Sequence, residues 1–191
     1  MDQRDSIDRW LEEWSWADYD LALRPMVVSK RITRIARHLE KLATDTLGPL
    51  GLDPGEFDVL ATLLRAGPPH ELTPTGLNRS LMMSAGGLTK RLGRLEEREL
   101  ITRRLSPDDR RSLLVTLTDA GKSLAERAVT AHSKATADMV DRIGQHSREQ
   151  LSGLLRTLLV TLEEADGALL DGGQHETGQR REEAAAGRGV D

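Results

Sequence analysis

One stretch, residues 72–117, constrains this chain more than the rest of its sequence together. Two segments with helical apolar spacing, TPTGLNRSL and SAGGLTKRLGRLEE, are separated only by a brief MMS connection, and LITRRLSPDDRRSLLVTL follows at once. In that last segment Ile101, Arg103 and Leu105 alternate with Thr102 and Arg104, SPDD supplies turn residues, and SLLVTL returns. Alternation, turn and return are the pattern of a β-hairpin. Two short helices joined by three or four residues outline a helix-turn-helix, and the hairpin directly after them stands as a wing. The expected fold is mainly α with a small β-hairpin wing.

Helical spacing governs nearly all the remainder. Ile7, Trp10, Leu11 and Trp14 fall at i, i+3, i+4 and i+7, which predicts a short amphipathic helix with Ser6 as its N-cap. A longer helix is predicted from Pro25, burying Val28, Ile32, Ile35, Leu39 and Leu42, until Gly48-Pro49 stops it. Asp53, Pro54 and Glu56 form a capping-box start for a helix with Phe57, Leu60, Ala61 and Leu64 inward, ended by Gly67-Pro68-Pro69. Thr73-Pro74 starts the next helix, through about Leu81. Ser84 caps another that runs to about Glu99 with Leu88, Leu92 and Leu95 inward. A long helix is predicted from Thr118 to about Gly144. Another follows from a second capping box at Ser147 and Gln150 to about Glu164. The tail 167–191, rich in Gly, Gln, Glu and Arg, has no apolar period and is read as disordered. The domain reading is therefore an extra N-terminal helix (1–24), a main domain (25–166) with a DNA-binding lobe at 53–117, and this tail.

Composition narrows the function. With no Cys, disulfides and thiolate metal ligands are excluded, and the five His stand too far apart in sequence for a metal-binding helix. The start is acidic, and no apolar run approaches the ~20 residues of a membrane span, so a cytoplasmic protein without a membrane partner is expected. The chain carries a net charge of -4, yet residues 72–112 hold nine Lys or Arg against five acids, while residues 1–20 hold seven acids against two Arg. A basic block in an acidic chain focuses positive potential locally, where phosphate contact is made.

Candidate contacts to double-stranded DNA follow from position. On the helix after Ser84, the face away from Leu88, Leu92 and Leu95 carries Gly86, Gly87, Lys90 and Arg94, with Thr89 beside them. Small residues permit close approach to a major groove, Ser84 and Thr89 can hydrogen-bond, and Lys90 and Arg94 can reach phosphates or guanine. An ordinary solvated face explains the same residues. Thr73 and Thr75 open the preceding helix and join the candidate set. At the hairpin tip Arg110 and Arg111 suit a narrow minor groove, with Asp109 placed to hold Arg111.

Through LTPTGLNRSL, SAGGLTKRLGRLEERELITRR and SPDDRRSLLVTLTDAGKSL, residues 57–124 resemble the MarR family of bacterial regulators, and the order of elements matches over about 25–165. The resemblance implies a homodimer held by helices at both ends of the chain (25–48 and 118–166). It also implies two winged helix-turn-helix lobes on a pseudo-palindromic site, and repression relieved by a small anionic or phenolic ligand. A narrower resemblance, LEEW ahead of RPM and then GEFDVLATLLRAGPP, is to the urate-responsive and PecS-like branch. That branch implies a ligand-responsive set which matches Trp14, Asp58, Arg65 and Arg91 here, with Trp10 and Trp16 as neighbours of the first. Asp58 is the expected carboxylate partner of Arg91, and an ion pair that merely ties two helices is the plainer explanation.

Other classes remain. No GxSxG, Walker loop, HExxH or dinucleotide fingerprint appears, which argues against an enzyme, and no cofactor is implied. A ligand-independent DNA-binding or architectural protein, and a helical protein-interaction module, both fit the basic face.

Overall fold

Local start signals decide most of the boundaries. The computed structural model describes residues 4–14, 23–81, 83–105 and 112–186. Its elements are α1 (Ser6–Glu13), α2 (Leu23–Leu47), a 3-10 turn (Gly48–Leu50), α3 (Pro54–Arg65), β1 (Glu71–Leu72), α4 (Pro74–Leu81) and α5 (Ala85–Glu97). They continue with β2 (Ile101–Leu105), β3 (Leu113–Leu117), α6 (Asp119–Val140), a second 3-10 turn (Asp141–Ile143) and α7 (Gln145–Ala186). The chain divides into two units, Met1–Asp138 and Met139–Asp191.

The capping box of α3 forms as its sequence predicts. The Asp53 carboxylate accepts from the Glu56 N–H at 2.8 Å, and the Glu56 carboxylate accepts from the Asp53 N–H at 3.2 Å. Each satisfies an amide that helix geometry would otherwise leave without a partner. At α1 the cap is Asp5 and not the expected Ser6. Its carboxylate accepts from Ile7 and Asp8, and Asp8 returns the bond, because a carboxylate one residue earlier outcompetes the hydroxyl. Helix α2 begins two residues before the expected Pro25, which still lies in the first turn, where a missing N–H costs nothing.

The core of the first unit is a leucine cluster at the meeting of α3, α4, α5 and the sheet. Leu47, Val59, Leu60, Leu63, Leu77, Leu95 and Val115 are fully buried, with Leu88, Leu92 and Ile101 nearly so. On α3 the stripe is turned from the expected one. Val59 and Leu63 flank Leu60 at its centre, while Phe57, Ala61 and Leu64 sit at its half-buried edge. On α2 the expected burial does not occur: Val28, Ile32, Ile35 and Leu39 are all exposed and Leu42 is half-buried. Among the described residues that stripe stays partly open to solvent.

The sheet has three antiparallel strands in the order β1-β3-β2. The hairpin pairs Ile101 with Leu117 and Leu105 with Leu113. Strand β1 pairs Glu71 with Thr116 and Leu72 with Val115, and two residues are too few to show an alternation in sequence. Thr118 stitches the wing to α6: its hydroxyl accepts from the Gly121 N–H at 2.9 Å and donates to the Glu99 carbonyl at 2.8 Å. Here α6 runs so close to the chain leaving α5 that a Cβ on Gly121 would lie 1.8 Å from the Leu100 carbonyl oxygen.

In the second unit Gly144, at φ 76°, ends the 3-10 turn, and α7 begins at the next residue. Ser147 and Gln150 therefore lie inside the helix and form no cap, since the helix starts right after the positive-φ glycine, three residues earlier than a serine cap would start it. The helix continues to Ala186, through the stretch read from sequence as unstructured. Ala, Glu, Gln and Arg in that stretch are good helix formers even without an apolar stripe. Leu151, Leu154, Leu155, Leu158, Leu159, Val160 and Leu162 of α7 are exposed in the single chain.

Candidate nucleic-acid interface

Helix α5 is seated by its leucines and started by Ser84. Leu88, Leu92 and Leu95 are buried, and the Ser84 hydroxyl accepts from the Gly87 N–H at 3.2 Å. This fixes what faces out. Gly86, Thr89 and Lys90 are exposed, and a Cβ on Gly86 would meet no atom within 4 Å. Thr89 donates its hydroxyl to the Ala85 carbonyl at 2.9 Å, and Gly87 is partly covered by Ser84 and Arg91. On α4, Thr73 accepts from the Gly76 N–H at 3.1 Å, so it works as a cap, and Thr75 is exposed.

The arginines of α5 do not share the outward face. Arg94 donates Nε to Glu56 at 2.8 Å and Nη2 to Asp53 at 2.5 Å. Arg98 donates to the other oxygen of Glu56 at 3.3 Å. Arg91 donates Nη1 to the Gly87 carbonyl at 3.2 Å, and its Nε lies 3.9 Å from the Asp53 carboxylate. Two carboxylates at the start of α3 thus face three guanidinium groups, two from α5 and one from Arg98, which caps its C-terminus. Sequence reasoning saw Asp53 and Glu56 only as a cap; the spacing 91, 94 and 98, which puts three Arg on one flank of a helix, was the available signal for an acidic partner.

The wing is braced by ion pairs to β1 and to α5. Arg104 donates to Glu71 at 2.7 Å, and the same carboxylate accepts from Thr116 at 2.9 Å, which ties β1 to the hairpin. Arg103 pairs with Glu96 on α5 through two bonds, and this hydrogen bonding holds the Glu96 carboxyl below its usual value. Asp109, Arg110 and Arg111 lie outside the described residues.

Of the four expected ligand-responsive residues, the structure brings two together. Asp58 and Arg65 line a cleft of about 370 Å³ with Ala61 and Thr62 of α3 and Ser80 and Leu81 of α4. Asp58 lies at the protein surface, yet desolvation by neighbouring atoms raises its carboxyl above the usual value, against the attraction of His132 and Arg91. The expected Asp58–Arg91 ion pair is replaced by the Arg91–Asp53 contact. Trp14 ends α1, its ring 6.1 Å from that of Trp10, and does not line this cleft. Trp16 lies outside the described residues.

Two short helices, the second started by its own cap and followed by an antiparallel wing, make a winged helix-turn-helix, a module that reads DNA. The MarR family profile matches residues 50–112. The chain is 31% identical to the HTH-type transcriptional regulator PecS of Dickeya dadantii over 145 residues, covering 76% of this chain and 87% of that protein. It is 31% identical to the multiple antibiotic resistance protein MarR of Salmonella typhimurium over 108 residues, 56% of this chain and 73% of that one. Its fold matches a mutant MarR from E. coli complexed with operator DNA, with a TM-score of 0.65 and 25% identity, over 74% of this chain and 99% of the other. The chain belongs to the MarR family: it is a DNA-binding transcriptional regulator and not an enzyme. Among the described residues no helix is long and apolar enough to cross a membrane.

Proposed function

We propose that this protein is a homodimeric repressor acting in the cytoplasm, which binds a pseudo-palindromic operator and is released by a small anionic ligand, urate or a related metabolite. The outward face of α5 carries the reading. A cap hydroxyl at Ser84, an unobstructed Gly86, Thr89 and the exposed cation Lys90 lie along the N-terminal half of one helix, the half that enters a major groove in this class. In this reading Arg110 and Arg111 of the wing reach the minor groove beside it, with Asp109 orienting Arg111.

The uncovered apolar residues support the dimer. Val28, Ile32 and Ile35 on α2, and Leu154, Leu158 and Leu159 on α7, are exposed, and a second copy supplies apolar surface of the same kind. Support for the effector is the cleft itself. Its volume suits a small ligand, Arg65 offers a cation to an anion, and its walls are α3 and the first helix of the DNA-reading pair. A ligand preferring one spacing of α3 and α4 shifts the DNA-binding equilibrium by its differential affinity, and DNA weakens the ligand equally.

One series of gel shifts tests the whole reading. A duplex selected by the protein from a random library should be an inverted repeat, bound with a steep dependence on salt and released by urate or a related anion. Enrichment of a single half-site would remove the dimer. Binding that no such anion alters would remove the effector.

A further inference from the structure

The side chains that grip α5 differ from those that face DNA, and their arrangement has a direction. We propose that Glu56, together with Asp53, is a positioning residue for DNA recognition: through Arg94 and Arg98 it sets where the recognition helix sits along α3, so that Arg94 serves the DNA contact without making it. This rests on the reading that α5 lies against DNA.

Glu56 is 5% exposed, and both of its oxygens are engaged. One accepts from Arg94; the other accepts from the Asp53 N–H and from Arg98. Asp53 accepts from Nη2 of the same Arg94 guanidinium. A planar guanidinium held at two of its nitrogens by two carboxylates is fixed in direction as well as distance. The leucine contacts beneath α5 lack that property, since apolar burial is non-directional.

The anchoring points are themselves tied together. Asp53 and Glu56 are locked to each other by the capping box, at the first turn of α3. Between them Gly55 leaves bare backbone against which Arg91 lies, and a Cβ there would come within 2.0 Å of its Nε. Gly86, Thr89 and Lys90 belong to the same rigid helix as these arginines. A shift of α5 at Arg94 is therefore a shift of the face presented to DNA.

The competing possibility is that Arg94 leaves its carboxylates for a phosphate when DNA arrives. Salt dependence separates the two, because each phosphate that a variant no longer neutralises lowers the slope of log K against log salt by about 0.9. The test uses the full chain and a duplex that the wild type selects from a random library, titrated at several salt concentrations against R94Q, D53N, D53N/R94Q and K90A. Asn caps a helix as well as Asp, so D53N removes the charge and keeps the fold, which a melting curve checks.

R94Q and D53N should each weaken binding to the selected duplex by roughly 5- to 30-fold with the wild-type slope retained. Binding to a scrambled duplex should change far less, and the double variant should be no worse than the weaker single one. K90A is the control, with a slope lower by about 1. A slope that falls by about 1 in R94Q, or unchanged affinity in D53N, overturns the inference while leaving the DNA reading intact. A wild type that enriches no sequence overturns both.

Discussion

Arg31 of α2 closes onto Asp5, the residue that caps α1: its Nε lies 2.8 Å from the Asp5 carboxylate, and its Nη2 lies 2.6 Å from Asp8, the other half of that capping box. The hydrogen bond from Arg31, more than any other contact, draws the Asp5 carboxyl from its ordinary 3.8 down to about 2. A carboxyl whose folded value is depressed adds stability above the unfolded value, and that stability fades as pH falls towards the folded one. Docking of α1 should hold at pH 5 and weaken between about pH 4 and 2. All three Trp lie at positions 10, 14 and 16, so tryptophan fluorescence reports on this end of the chain alone. The expected result is an acid step in wild type that R31M lacks. The pair is solvent-exposed, so 1 M salt should diminish the step.

Ser84 separates capping from DNA contact. Its bond to the Gly87 N–H makes S84A less stable by about 1 kcal/mol, measured by urea unfolding. S84D should melt no lower than wild type, because Asp caps equally well and favours the positive end of the helix. The same variant should bind DNA roughly tenfold more weakly, since its new charge faces phosphates. Retained DNA affinity in S84D would place the start of α5 away from the duplex.

Gly121 is set by packing and not by backbone conformation. A side chain at this position meets the Leu100 carbonyl oxygen, a backbone atom that cannot swing aside. G121A should lose about 3 kcal/mol of stability, seen as a lower urea midpoint. Unchanged stability would mean that α6 has room to move off the start of β2.

Asp58 is held in surroundings that disfavour its charge, chiefly through desolvation. A carboxyl raised in the folded state opposes folding once it ionises, and the opposition vanishes at pH values below its unfolded range. D58N should therefore melt slightly above wild type at pH 7, with the gap closing as the solution is acidified through the carboxylate range. If Asp58 instead anchors the fold, D58N melts lower at neutral pH.

What could be read from the amino acids alone was mostly short-range. Asp53-Pro54-Glu56 and Ser84 announce helix starts because a cap and its amide lie within three residues, and both form. Leu88, Leu92 and Leu95 mark the inner face of α5 because the helical period does so directly. The same reasoning could see the stripe on α2 but not that it stays exposed in the single chain. Periodicity shows that a face is apolar, and says nothing about whether its partner belongs to the same chain.

Arg94 shows a different limit. A helical wheel gives the direction in which a side chain leaves the backbone, and for Arg94 that direction is outward. Its long stem then turns back to carboxylates 38 and 41 residues earlier in the chain. No window of local sequence contains both partners. The same holds for Arg91, whose expected partner Asp58 and actual neighbour Asp53 stand five positions apart and could be told apart only by how α3 and α5 cross.

A Cβ on Gly86 would touch nothing, and Thr89 and Lys90 are exposed. None of these three positions is part of the buried core, and the seating of α5 rests on other residues. After a gene duplication, a daughter copy can substitute any of them without losing its fold, and so acquire a new operator in single steps, each of them viable.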